Sequence, residues 1–187
     1  MDSQTPKKKS IFKRWWFWVI VVIVLFIIIA ASGNSTPQKV GDTSSSTPAT
    51  SSSQPQAFNV GDQVKIGDSI LTVNKVSVTQ GGEFLKPDAG DEFVNLNITI
   101  QNTSNTSQYV TTLGQMFIKD SGGNSYQVTT TDVTEQNISN DLDGQVIADS
   151  KRTGWVGFEV PAEDKGLQFQ YQASEFGGNT VTVDLNQ

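Results

Sequence analysis

The 187 residues include no cysteine and no histidine. Without cysteine there is no disulfide framework, no thiol nucleophile, no thiolate metal site and no residue to carry a lipoprotein anchor. Without histidine the commonest general base, the commonest metal ligand and the physiological-pH switch are missing together. Any catalysis would have to run on carboxylates, Lys, Tyr or Ser. Serine chemistry lacks its usual marks: there is no Gly-x-Ser-x-Gly, and beyond residue 31 no lysine lies three residues after a serine.

Positive charge is scarce outside the N-terminus. Residues 1–14 carry Lys7, Lys8, Lys9, Lys13 and Arg14 against Asp2, a net of +4, whereas the rest holds 8 basic and 18 acidic residues, a net of −10. So acidic a body repels phosphate backbones, which argues against nucleic acid as a partner. Anionic lipid headgroups would repel it too, which favours a module held away from the bilayer surface.

One long apolar run is present. Trp15 to Ala31 has no charged or strongly polar side chain, and twelve of its 17 residues are Val, Ile, Leu or Phe. As a helix it would span roughly 26 Å, just under the ~30 Å hydrocarbon core. Trp15, Trp16 and Trp18 stand beside the basic cluster, where amphipathic rings occupy the headgroup level. The Lys/Arg excess before the run predicts a cytoplasmic N-terminus and an extracellular C-terminal part, tethered to the cell membrane by a single transmembrane helix over 15–31. The competing expectation is a cleaved secretory signal ending in the small residues "AASGNS" (30–35). The run exceeds the usual ~7–15-residue signal core.

Four segments follow: a basic cytoplasmic tail (1–14), the transmembrane helix (15–31), a Ser/Thr/Pro-rich linker (32–57) and an extracellular domain (58–187). The linker has almost no large apolar side chain, cannot offset its ordering entropy by burial, and is expected to be disordered. It reads as a spacer, or alternatively as an O-glycosylated or wall-threading stalk.

From Phe58 onward the pattern turns to short alternating segments. In "FVNLNITI" (93–100), Val94, Leu96, Ile98 and Ile100 face one way and Asn95, Asn97 and Thr99 the other. "WVGFEV" (155–160), "LQFQYQ" (167–172), "TVTVDL" (180–185) and "ILTVNKVSV" (70–78) repeat the theme, and "MFIKDSGGNSYQV" (116–128) folds back at a Gly-rich turn. About seven short strands with Gly/Asn/Asp/Ser loops predict an all-β antiparallel sandwich. "DVTEQNISNDL" (132–142) predicts one short helix, with Asp132 and Glu135 at capping-box spacing and Ile138 and Leu142 four apart.

"NVGDQVKIGDSILTVNKV" (59–76), "GDEFVNLNITIQNTS" (90–104), "MFIKDSGGNSY" (116–126) and "TGWVGFEVP" (153–161) occur in that order. Together they resemble a bacterial, mostly Gram-positive family of secreted and membrane-anchored proteins with an immunoglobulin-like domain of unknown function, grouped with the mycobacterial immunoprotective extracellular antigens. The resemblance covers 58–187 and implies an extracytoplasmic immunoglobulin-like β-sandwich with no established catalytic residues. Many members anchor through a lipid-modified cysteine; a membrane helix stands in that place here. Where a Pro-Gly turn is expected before "TGWVGFEVP", this chain reads "ADSKRTG".

Candidate chemistry is sparse. "SNDLDGQVIADS" (139–150) places Asp141, Asp143 and Gly144 as in a Ca²⁺-binding loop, with Asp149 a further candidate ligand. Its first and twelfth positions are Ser139 and Ser150, so an acidic surface loop is the simpler expectation, and no cofactor is implied. Glu83, Asp88, Asp91 and Glu92 cluster between two strands and would serve a hydrolase only if held across a cleft. Five Asn-x-Ser/Thr triplets (Asn34, Asn97, Asn102, Asn105, Asn137) matter only in a eukaryotic secretory route. Phe84, Tyr109, Trp155 and Phe176 do not all fit the buried faces, and Trp155, opposite Val156 in the alternation, is the binding candidate.

The sequence therefore predicts a membrane-anchored, non-enzymatic extracytoplasmic binding module. Its partners are expected among cell-envelope or host-surface proteins or polymers. An accessory subunit of a membrane complex and a carboxylate-dependent hydrolase are the alternatives.

Overall fold

The computed structural model describes residues 36–41, 57–138, 141–173 and 179–186. The tail, the expected transmembrane helix at 15–31, most of the linker and Phe176 lie outside the described residues. Among the described residues no helix is long and apolar enough to cross a membrane.

Among the described residues, twelve strands and one short helix follow in chain order. They are β1 (Gln38–Lys39), β2 (Ala57–Asn59), β3 (Gln63–Ile66), β4 (Ser69–Thr79), β5 (Asp91–Asn102), β6 (Gln108–Val110), β7 (Met116–Lys119), β8 (Ser125–Thr129), α1 (Asp132–Gln136), β9 (Gly144–Val146), β10 (Lys151–Pro161), β11 (Gln168–Gln172) and β12 (Thr180–Asp184). One layer runs β1-β3-β4-β5-β10 and the other β7-β11-β12-β2, while β6 and β9 make a separate ribbon. Strand β8 joins the layers: Ser125 to Gln127 pair with β7, and Val128 and Thr129 pair with Phe158 and Gly157 of β10.

The expected alternation builds the core. Leu71, Val73, Val94, Leu96, Ile98 and Ile100 of the first layer pack in one cluster with Met116, Ile118, Phe169, Val181 and Val183 of the second. Phe158 and Phe169 meet edge to face across the layers, centroids 6.4 Å apart at 67°.

In β4 the register shifts between Val73 and Lys75. The extra residue, Asn74, bonds outward to Asn97 Oδ1 (3.0 Å) and Thr99 Oγ1 (2.9 Å). A one-residue insertion reverses which side chains face the core, and so Val76 packs against it.

The structure departs from the sequence expectations in five places. The sandwich is not wholly antiparallel, because β2 lies parallel to β12. Gln38 and Lys39 pair with β3, and the Lys39 ammonium sits 2.7 Å from the Asp62 carboxylate, so the linker reading does not extend to them. Asn95, expected on the solvent face, is fully buried, as is Phe93 beside it outside the main core.

Helix α1 starts at an N-cap of Thr131 rather than Asp132, with Thr134 as its capping-box partner. It stops at Asn137, whose Nδ2 donates to Val133 O at 2.8 Å, before reaching Ile138. Finally, "KR" of "ADSKRTG" already belongs to β10, and Asp149, at φ +53°, supplies the turn that a glycine was expected to make.

At the far end of β8, the Tyr126 hydroxyl donates to Asp164 Oδ2 at 2.6 Å and lies 3.2 Å from Asp120 Oδ2. The Asp164 contact, burial and the Asp120 contact all hold the phenol proton, pushing its pKa well above the ordinary value of 10. The unfolded chain ionises this tyrosine near pH 10 while the folded chain keeps the proton. The stability contributed is therefore fully present below about pH 10 and lost as pH rises through the folded value. Tyr171, buried and raised in the same direction, adds to the loss. Circular dichroism from neutral to strongly alkaline pH should show Tyr126→Phe losing stability less steeply than the parent above pH ~10. Parallel curves would rule out this origin.

Candidate functional site

Trp155 is half-buried on the outer face of β10, in register with Asn97 of β5. Three connected features surround it. β8 ends at Thr129, Thr130 leads to the N-cap Thr131 of α1, and the chain returns at Asp141 to enter β9. Trp155, Asp141, Asp143, Thr112 and Thr134 line a cavity of about 220 Å³ beside Gly157. A second, of about 210 Å³, shares Trp155, Thr134 and Asp141 and adds Glu135 and Ile138. On the other flank of α1, Glu83, Phe84, Asp132 and Glu135 line a third, of about 320 Å³.

Helix α1 is held over the sheet by paired polar contacts. Thr131 Oγ1 donates to Asn95 Oδ1, and Thr79 Oγ1 donates to Asp132 Oδ1 at 2.8 Å. Thr131 also caps the helix: its Oγ1 accepts from Thr134 N (3.2 Å), while Thr134 Oγ1 accepts from Thr131 N (2.8 Å). Asn95 and Thr131 are both 0% exposed. A side chain longer than glycine at 157 would occupy the space Thr131 fills. This explains why a position that reads as solvent-facing carries an asparagine. Burial there requires an acceptor for the capping hydroxyl.

The acidic candidates separate into roles. Both Asp143 oxygens are engaged by Thr112, from its N–H at 2.5 Å and its hydroxyl at 2.8 Å. That carboxylate ties β9 to the 110–116 turn. Asp141 Oδ1 accepts from Asp143 N at 3.0 Å, an Asx turn, and Arg152 Nε donates to the Asp141 main-chain oxygen at 2.8 Å. Asp149 is exposed in its own turn and lines none of the three cavities. Ser139 lies outside the described residues. No group of three acidic side chains able to hold a metal ion is found among the described residues.

The 83–92 cluster does not converge. Glu83 lines the third cavity, the Asp88 N–H donates to Glu159 at 2.6 Å, and Asp91 and Glu92 pair with Pro161 and Val160 at the start of β5. Phe84 is 87% exposed at the rim of the third cavity. Its loop is shaped by Gly81 at φ +80°, where an added Cβ would fall 2.4 Å from Leu85 O. Tyr109, the remaining exposed aromatic, is on the β6–β9 ribbon and lines none of these cavities.

Sequence reasoning brought forward Trp155, Asp141 and Asp143, which the fold assembles on one groove. It missed Thr112, Thr134, Glu135 and Ile138. The threonine pair three apart at 131 and 134 was a legible helix-cap signal, but nothing local marks Thr112 as a neighbour of Asp143.

The fold and groove define a small β-sandwich whose polar-lined depression sits on the outer face of one sheet, at the end where α1 crosses it. Residues 58–181 match the model of a family described as a domain of unknown function, DUF4352. The match spans more than half of the chain, and the chain belongs to this family. Among solved structures it is similar to the yjhA protein from Bacillus subtilis, at 20% identity over 68% of this chain and 99% of that one, with a TM-score of 0.57. That likeness bears on the fold alone. A secreted protein from Mycobacterium tuberculosis, MPT63, matches at 12% identity over 71% of this chain and 99% of that one, TM-score 0.47. A β-sandwich protein from Clostridium difficile 630 matches at 12% identity over 74% of this chain and 99% of that one, TM-score 0.45. No curated protein matches the chain.

Proposed function

We propose that this chain is a non-enzymatic binding module held outside the cell, tethered by residues 15–31 and spaced from the membrane by a Ser/Thr/Pro-rich linker, that engages its partner through the Trp155 groove. One observation carries the binding role. Trp155 stays half-buried beside two cavities, on an outer face where the neighbouring Asn97, Thr99 and Asn74 form a polar hydrogen-bonded ladder. A large aromatic at the edge of a concave, polar-rimmed depression is the usual anchor of a recognition surface.

The strand order supports an immunoglobulin-like reading of the sandwich. β4-β5-β10 in one layer and β7-β11-β12 in the other correspond to the A-B-E and C-F-G strands of that fold. Extracytoplasmic placement is supported by the basic flank before the apolar run. Partners are sought among envelope proteins, polymers or host surfaces.

Two measurements test this. The intact mass of protein from washed membranes and from the medium comes first. Full-length protein in membranes alone supports the tether, whereas a shorter species in the medium starting near Ser32 to Ser35 overturns it. The second is in-cell photocrosslinking from a benzoyl-phenylalanine at Ile138, 80% exposed on the groove rim. Discrete adducts that vanish in Trp155→Ala support the binding role. Adducts indifferent to Trp155 reject it.

A further inference from the structure

Resting on the groove as a binding site, we infer that its ligand is a basic, extended segment of a partner protein, with a lysine or arginine side chain seated against Trp155.

Charge complementarity along a continuous belt selects such a segment. The charged residues that line the three cavities flanking α1 are Glu83, Asp132, Glu135, Asp141 and Asp143, with no lysine or arginine lining them among the described residues. Glu135 lines the cavities on both sides of the helix, so the acidic lining does not break there. Asp143 is spent on Thr112, and Asp132 receives Thr79. Glu135 is exposed, and among the described residues only Oδ1 of the Asp141 carboxylate is engaged. These two side chains are left to meet a cation beside Trp155. Arg152 is the neighbouring cation, but its Nε is held by the Asp141 carbonyl and its guanidinium packs at Gly144, outside the groove lining.

Trp155 supplies the rest. An indole face is the best aromatic partner for a cation, and the contact strengthens where the cation is desolvated. Ile138 and Phe84, 80% and 87% exposed, line the cavities on either side of α1 and fit apolar residues between the charges of the ligand. Residues 58–187 carry 7 basic and 17 acidic side chains, a net of −10, which steers a basic segment toward the domain and repels an acidic one. A phosphorylated or acidic polymer would find no counter-charge in the lining.

The test uses the full chain in a neutral detergent and fluorescence anisotropy of four labelled octapeptides, alternating leucine with arginine, lysine, glutamine or glutamate. The arginine and lysine peptides should bind saturably, and more weakly as salt rises from about 0.05 to 0.5 M. Trp155→Ala should weaken them at least about tenfold. Glu135→Gln with Asp141→Asn, which keeps the oxygen that Asp143 N needs, should weaken them about three- to tenfold. Asp88→Asn with Asp149→Asn removes the same charge away from the groove and should change affinity by less than about twofold.

Equal weakening by that control pair would reduce the effect to bulk charge and overturn the inference. So would equal binding of the glutamine or glutamate peptide; if that binding is still lost in Trp155→Ala, the binding-module reading stands without the cationic ligand. Binding of none of the four overturns the inference, and the Ile138 crosslinks then decide the broader reading on their own.

Discussion

Phe158→Ala is expected to destabilise the domain by about 3–5 kcal/mol, the range for deleting a fully buried phenylalanine. Phe158 is 0% exposed and sits at the junction of the fold, opposite Val94 of β5 on one side and Val128 of β8 on the other. Its ring meets Phe169 of the second layer edge to face. Truncation removes a contact between the layers beside β8, the strand that bridges them, and the rigid sheets on either side can collapse only partly into the space. Against a total of about 5–15 kcal/mol for a domain, the loss is large. Urea denaturation followed by far-ultraviolet circular dichroism measures it. Phe169→Ala in the same background should cost less than in the parent, because the ring pair is already gone. A loss under about 1.5 kcal/mol would show that the layers are held together elsewhere.

The second large effect is expected at Gly157. A Cβ there would lie 2.4 Å from Thr131 Cγ2, 2.7 Å from Thr131 Oγ1 and 3.1 Å from Asn95 Oδ1. Thr131 cannot swing away freely. Its hydroxyl caps α1 and binds the buried Asn95 carbonyl, so yielding space breaks both contacts. Gly157→Ala should therefore cost about 1–3 kcal/mol through overpacking and lift α1 from the sheet, deforming the Trp155 groove. Adding Thr131→Ser removes the clashing methyl but leaves the hydroxyl oxygen 2.7 Å from the added Cβ, so it should restore part of the stability and not all of it. Thermal unfolding of the three variants decides it. A neutral Gly157→Ala, or a Thr131→Ser change that gives no recovery, would break the link between this glycine and the helix.

Asn95 marks how far local pattern reaches. Alternation along 93–100 correctly sorts Val94, Leu96, Ile98 and Ile100 onto the core face, because side chains on successive strand residues point to opposite sides whatever surrounds them. The same rule puts Asn95 in solvent, and there it fails. Whether the outer face is wet depends on a helix 36 residues further along whose cap lands on it. The bulge at Asn74 is a similar case. "ILTVNKVSV" reads as one strand, and only the paired β5 reveals that one residue is skipped.

The candidate site divides along the same line. Trp155 stood out because a large aromatic occupied the polar phase of an alternating segment. Asp141 and Asp143 stood out through spacing borrowed from a metal-binding loop. In the fold, Asp143 spends its carboxylate on Thr112, 31 residues away, while Asp141 and Trp155 flank one depression.

By itself the sequence determined the predominance of strands, the core face of regularly alternating stretches such as Val94, Leu96, Ile98 and Ile100, the acidic character of the domain and the exclusion of thiol and imidazole chemistry. These are properties of composition and of a period of two residues, and no distant contact can change them. The tertiary structure alone decided that Asn95 is buried, that β2 runs parallel to β12, and that Glu135, Asp141 and Trp155 share a groove. Each depends on which segments pack together across long loops, and that choice is made by the pairing of sheets and the docking of α1, for which the chain carries no local period.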